Sequence, residues 1–142
     1  MTSSIFPDLN VWLALNVEQH RDYEATLRWY ESLNDAPLLF CRITQLGLLR
    51  LLTTPGVMGK EVLTNGEALR IYQAWILKGT AVLFPEPLTF DVEFAKFGNT
   101  PHSSPKLWAD AYLSAFAVAG GLSLVTRDRA LAARTPNSIL LS

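Results

Sequence analysis

Short apolar runs alternate with longer helical patterns along the whole chain. Ser4-Ile5-Phe6 reads as a short strand ended by Pro7-Asp8, and Asn10 to Asn16 as a short helix. From His20 to Leu33 the apolar Tyr23, Leu27 and Tyr30 recur at helical spacing, until Asn34-Asp35-Ala36-Pro37 breaks the pattern. Leu38 to Cys41 reads as a second buried strand. Thr44 then opens a leucine-rich helix through Leu52, which Thr53-Thr54-Pro55-Gly56 stops. Gly66 to Leu77 predicts another helix, Thr80 to Phe84 a third strand and Thr89 to Phe97 a further helix. The longest helix runs from Pro105 to Ala119, with Ser104 as its N-cap and Gly120-Gly121 closing it. Leu122 to Thr126 is a fourth strand and Ser138 to Leu141 a candidate fifth. Short, continuous apolar strands separated by helices describe an α/β chain whose parallel sheet is covered on both faces.

Composition narrows this picture. The chain has 142 residues, 49% of them apolar, and no low-complexity tract, internal repeat or Pro/Gly/Ser-rich linker divides it. Residues 1–142 therefore read as one domain, long enough to bury its own core. The lone Cys41 excludes a disulfide framework and every multi-cysteine zinc motif, and it fits a reducing cytoplasm. The N-terminus lacks a basic region followed by a sufficient apolar run, which argues against a signal peptide. No apolar stretch approaches the roughly 20 residues of a membrane span. With 12 Lys+Arg against 13 Asp+Glu, the net charge of −1 removes the broad positive footprint of a nonspecific duplex-DNA binder. It leaves room for a nuclease that gathers phosphates locally.

In an open parallel sheet, function gathers in the crevice beyond the carboxyl ends of the strands. Asp8 follows the first strand and Asp128 the fourth, so both should open onto that edge. Each also has a plainer reading, Asp8 as a turn residue or the N-cap of the helix at Val11, Asp128 as the cap of a short helix at Arg129 to Ala132. Asp110 lies more than a turn inside the long helix, too deep for capping or for the macrodipole to favour it. That helix is apolar on nearly every side, so a carboxylate there is costly unless it is paired or bound to a cation. Lys106, four residues back, is the candidate pair. Carboxylates converging on one edge raise each other's pKa, which a divalent cation relieves, and hard oxygen ligands suit Mg2+ or Mn2+.

Four stretches carry a resemblance: residues 7–15 around Asp8-Leu9-Asn10, residues 43–52 around Thr44-Gln45-Leu46-Gly47, residues 107–117 around Asp110, and Leu124-Val125-Thr126-Arg127-Asp128-Arg129. In this order, spanning Asp8 to Asp128, they resemble the blocks of PIN-domain ribonucleases, and most closely the VapC toxins of type II toxin–antitoxin systems. The resemblance implies an α/β/α sandwich with a central parallel sheet, and divalent-metal-dependent endonuclease activity on RNA, whether tRNA, rRNA or mRNA. It also implies a VapB-type antitoxin and a homodimer. Carried over by position, Asp8, Asp110 and Asp128 become the catalytic, metal-binding acids, with Asn10, Thr44 and Thr126 as the polar residues around them. One position departs. The family usually has a Glu three residues after the Ser/Thr that opens the third block, and Gly47 stands at that spacing from Thr44. A subgroup carries the same Thr-Gln-Leu-Gly pattern; Gln45 or Arg50 could replace part of the function, and the occupancy of a second metal is left open.

The chemistry implied is hydrolysis of an RNA phosphodiester by a metal-activated water. Asp8 and Asp110 would hold the principal Mg2+ or Mn2+, and Asp128 a second ion or the first shell through water. No histidine base is needed, and His20 and His102 read as solvated residues. Arg42, Arg50, Lys106, Arg127 and Arg129 either hold phosphates or neutralise the acidic edge. Trp12, Trp29, Trp75 and Trp108 read as core, and Asp91 and Glu93 as a solvated face. A second reading is a PIN domain that binds antitoxin or RNA without cutting; Gly47 favours it, and the intact acid set argues against it. A receiver domain needs paired acids after the first strand and a late lysine, and a haloacid-dehalogenase-like phosphatase needs a second aspartate beside Asp8; both are missing. The apolar stretches at residues 11–15 and 46–52, with the loop at 54–65, form either an antitoxin groove or ordinary core.

Overall fold

A computed structural model describes residues 4–142; residues 1–3 of the N-terminal stretch read above lie outside it. The first strand, β1 (Ser4–Pro7), ends as Asp8 caps α1 (Leu9–Asn16). α2 (Tyr23–Glu31), β2 (Leu38–Phe40) and α3 (Arg42–Leu52) follow. The next loop carries a one-turn helix, α4 (Pro55–Met58), and a 3-10 turn (Gly59–Glu61), neither of which the sequence pattern announces. α5 (Asn65–Leu77) opens on a capping box between Thr64 and Glu67 and leads to β3 (Ala81–Leu83). α6 (Phe90–Gly98) and α7 (Leu107–Gly120) then pack together. Last come β4 (Leu122–Thr126), α8 (Arg129–Arg134) and β5 (Ile139–Leu140).

The strands form one sheet in the order β3-β2-β1-β4-β5, and every pairing is parallel. The chain leaves β1 to build β2 and β3 on one side and returns to lay β4 against the other. β1 and β4 therefore flank the point where strand order reverses, and a crevice opens there beyond their carboxyl ends. Alternation along each strand divides the core between the two faces. Leu38 and Phe40 pack with Trp12, Leu48 and Tyr72 beneath α1, α3 and α5, while Leu39 and Phe6 pack with Leu113, Phe116 and Leu131 beneath α6, α7 and α8. The result is the α/β/α sandwich with a central parallel sheet. Among the described residues no helix is long and apolar enough to cross a membrane.

Several boundaries move, and one changes an argument. α7 begins at Leu107, two residues later than predicted, because Ser104 forms a turn in which its carbonyl accepts from Leu107 N at 3.1 Å. Lys106, not Ser104, is the N-cap. Asp110 thus lies in the first turn, where the helix dipole favours a carboxylate, and the expectation that it sits too deep for that is corrected. α2 begins at Tyr23 rather than His20, since His20 closes a turn in which its carbonyl accepts from Tyr23 N and its ring from Asp22 N, both at 3.0 Å. Trp108 is corrected too: it is 56% exposed, whereas Trp12 is fully buried. Residues 11–15 are buried core.

Candidate active site

Asp8 closes β1 at the switch point. Its backbone N donates to Val125 O at 2.9 Å, which ties it to β4. One carboxylate oxygen, Oδ1, accepts from Val11 N at 2.9 Å and caps α1; the other, Oδ2, accepts from Thr126 Oγ1 at 2.5 Å. The capping role is real, and it holds the carboxylate still while only 6% of the residue is exposed. Thr126 Oγ1 also accepts from Asp128 N at 2.9 Å, so one hydroxyl links the two acids. Asp128 in turn caps α8, its Oδ1 accepting from Leu131 N at 3.1 Å, and is exposed to solvent.

Asp110 reaches this edge from α7, but its partner is not Lys106. Arg134 Nη2 of α8 donates to Asp110 Oδ2 at 2.8 Å. Lys106 is exposed and makes no ion pair among the described residues. Burial raises the pKa of Asp8, against the lowering hydrogen bonds from Thr126 and Val11, and the charges of Asp128 and Asp110 raise it further. The pKa of Asp110 is also raised by burial; the Arg134 charge opposes this and Asp128 adds to it.

Beside Asp8 opens a cleft of ≈ 460 Å³ lined by Asp8, Asn10, Asp128, Arg127, His20, Arg21 and Asp22, with Val11 at its wall. Arg127 Nε lies 3.9 Å from Asp22 Oδ2 and donates to Ser142 O at 3.4 Å. Asn10 lines this cleft but makes no hydrogen bond to the acids among the described residues, so the orienting role implied for it is absent from this geometry. Thr44 is also not beside the acids by hydrogen bonding: its hydroxyl accepts from Cys41 N at 3.0 Å and caps α3. Arg50 sits in the last turn of α3, about 12 Å along the axis from Arg42, and lines a separate cavity with Leu49 and Leu69. Arg129 opens α8 and is exposed. Glu93 pairs with Lys96 at 3.3 Å and Asp91 is exposed, in keeping with a solvated face.

Residues 5–135 match the family described as PIN domain. The chain belongs to the PIN-domain family. Within it, the chain is 41% identical over 128 residues to Ribonuclease VapC41 of Mycobacterium tuberculosis, covering 87% of this chain and 88% of the relative. Among solved structures it is similar to FitAcB from Neisseria gonorrhoeae, with a TM-score of 0.65, 22% identity and 96% of each chain covered. VapBC2 from Rickettsia felis, bound to a DNA fragment from their promoter, gives a TM-score of 0.60, 15% identity and 96% coverage of each chain. These two share the fold.

The glycine that departs from the PIN pattern lies against Leu9. A Cβ on Gly47 would stand 2.7 Å from Leu9 Cδ2 and 3.0 Å from Leu9 Cδ1, because α3 lies close against α1 there. The atoms met are the methyl ends of half-buried Leu9, which can rotate aside, and a helical glycine is itself costly, so Gly47→Glu should change stability by less than about 1 kcal/mol in denaturant unfolding. Thr126 is the supporting residue the geometry favours most. Thr126→Val removes a donor to buried Asp8 and an acceptor for Asp128 N, and RNA cleavage should fall about 10–100-fold, with Thr126→Ser retaining most activity. Sequence reasoning missed Arg134, Arg21 and Asp22. Arg134 lies 24 residues from Asp110, and no local spacing signals a pair that only the packing of α8 beside α7 creates.

Proposed function

We propose that this PIN domain, taken as one domain over residues 1–142, is a metal-dependent endoribonuclease and the toxin of a type II toxin–antitoxin pair. The observation that carries it is the hydroxyl of Thr126, which links Asp8 and Asp128 beside the switch-point cleft, with Asp110 held by Arg134 on the neighbouring helix. Among the described residues, no group of three or more His, Cys, Asp and Glu side chains gathers tightly enough to hold a metal ion in the arrangement seen. The donor set nonetheless suits Mg2+ or Mn2+. It consists of hard carboxylate oxygens that repel one another, and Asp110 Oδ1 and Asp128 Oδ2 carry no hydrogen bond among the described residues.

Asp8 and Asp110 would hold the principal ion and Asp128 would support it. When bound, a divalent cation supplies an acidified water and charge compensation at the phosphoryl oxygens. The chain's own residues do the positioning. Thr126 and Val11 N fix both oxygens of Asp8, and Arg134 holds Asp110 in place. Arg127 and Arg21, lining the cleft, would draw the RNA phosphates toward the acids, and the exposed Lys106 and Arg129 would add positive charge along the RNA path. The exposed apolar Ile43 and Leu46 of α3, with Val57 and Val62 of the following loop, offer a surface for an antitoxin helix. A homodimer setting two acidic edges side by side belongs to the same reading.

The test is incubation of total and structured RNA with the purified chain in Mg2+, Mn2+ or EDTA, with end-group analysis of the products. The expected fragments carry 5′-phosphate and 3′-hydroxyl ends and vanish in EDTA. Equal cutting in EDTA overturns the metal reading. A second reading, a module that binds without cutting, is favoured by the Arg134–Asp110 pair and by the absence of a carboxylate at position 47. Intact RNA under every metal condition would establish it instead.

A further inference from the structure

Past the ends of β2 and β3, on the same edge as the acids, lies a second cavity of ≈ 330 Å³ whose walls include Arg42, Phe84, Glu86, Tyr112 and Phe116. Continuing the parallel register from Ile5 and Leu38 brings Asp8 beside Cys41, and Arg42 is the next residue. Two strand spacings, about 10 Å, thus separate the end of β1 from the end of β3. α7 carries Asp110 toward Arg134 and, two residues later, Tyr112 toward Glu86.

We propose that this cavity is a base-selective subsite for the nucleotide adjoining the cut phosphodiester, with guanine as the preferred base. The inference rests on the ribonuclease reading above. The walls supply what an unstacked base needs. Phe84 and Tyr112 are half-buried aromatic rings, and Phe84 is braced edge-on by the fully buried Phe116 at 6.2 Å between centroids. Glu86 supplies the selection. Its Oε2 accepts from Tyr112 Oη at 2.8 Å, which fixes the carboxylate, while Oε1 carries no hydrogen bond among the described residues.

A carboxylate presents two acceptors side by side. Guanine alone among the four bases presents two adjacent donors, N1–H and N2–H, on its Watson–Crick edge; adenine and cytosine pair one donor with an acceptor, and uracil flanks one donor with two acceptors. Arg42 answers the backbone. Its Nη1 donates to Gln45 Oε1 at 2.7 Å, and it pairs with no carboxylate among the described residues, so its remaining donors are available to a phosphate at the mouth. The volume lies within the range of small-molecule sites and suits one nucleoside.

The experiment has two arms. In the first, the purified chain is titrated with GMP, IMP, AMP, CMP and UMP and followed by NMR. GMP is expected to shift the resonances of Phe84, Glu86 and Tyr112 and to bind at least about tenfold tighter than AMP, with IMP, which lacks the 2-amino group, in between. Glu86→Gln keeps an acceptor for Tyr112 but replaces the second acceptor by a donor, and should lower the GMP-to-AMP affinity ratio at least about tenfold. In the second arm, a randomised single-stranded RNA is cut and its ends sequenced. Wild type should show guanine enriched at a fixed offset from the cut, and Glu86→Gln should lose it. GMP binding at these residues without any RNA cleavage would sink the ribonuclease reading and leave the subsite standing. Cutting with no base preference, unchanged in Glu86→Gln, or GMP shifts confined to the acid cleft, would overturn the subsite.

Discussion

Asp8→Asn is expected to abolish RNA cutting while leaving the fold at least as stable as before. The side chain is isosteric. Its amide oxygen still accepts one of the two hydrogen bonds that Val11 N and Thr126 Oγ1 give the carboxylate. Lost is the charge, which is what the proposed chemistry needs, and removing one preorganised electrostatic group typically costs about 10²–10³-fold in rate. The same charge is what the fold tolerates badly, since burial raises the Asp8 pKa and Asp128 and Asp110 add to the shift. A raised folded-state pKa means that the folded chain binds the proton more tightly than the unfolded one. The native state is therefore penalised once pH rises above the unfolded value, and relieved as pH falls back through the folded value. Thermal unfolding in EDTA should show Asp8→Asn equal to or above wild type at neutral pH, with any gap closing in acid. A clear loss of stability at neutral pH would mean that the ionised carboxylate is a net structural asset. An active site that costs stability is the expected compromise between function and folding.

Trp12→Ala should cost about 3–5 kcal/mol, enough to leave the chain largely unfolded or close to it. Trp12 is fully buried beneath α1 and stacks on Phe40 with ring centroids 3.7 Å apart and planes within 8°. Trp75 meets it edge-on at 5.1 Å. Removing the indole opens a large cavity exactly where α1, α5 and the centre of the sheet meet. Trp12→Phe should be far milder, about 1.5 kcal/mol or less, because the ring stack survives and Trp12 Nε1 has no hydrogen-bond partner among the described residues to lose. Denaturant melts of both variants decide the matter. Equal losses would show that the size of the ring, and not the stack, governs this face.

Most of the architecture was legible because the strands are short apolar runs and each helix carries its own stop signal. β4 has the bounds its sequence predicts, and α1 falls within a residue of them, as its apolar stripe is continuous from Val11 to Leu15. The misplaced boundary at α7 had a local cause: Ser104-Pro105 looks like a cap followed by a first helical residue, but the loop spends that serine on a preliminary turn. The candidate acids were legible as such, Asp8 and Asp128 from strand ends and Asp110 from its family block. Their partners were not. Thr126 was legible as part of its block, whereas the Arg134–Asp110 pair depends on how α8 returns against α7, a relation no spacing encodes. Asn10 and Thr44 were placed by the family pattern, and here one lines the cleft unbonded while the other caps a helix. Gly47 could be read only as a missing carboxylate; the structure adds that Leu9 fills the space.

The central claim is that Asp8, Asp110 and Asp128 together form a divalent-cation site. Its most direct test is Mn2+ binding to the purified chain, followed by electron paramagnetic resonance, beside Asp8→Asn and Asp110→Asn. The account predicts that wild type takes up Mn2+ and that each substitution weakens binding at least about tenfold. Equal binding by all three proteins, or none by wild type, would contradict it.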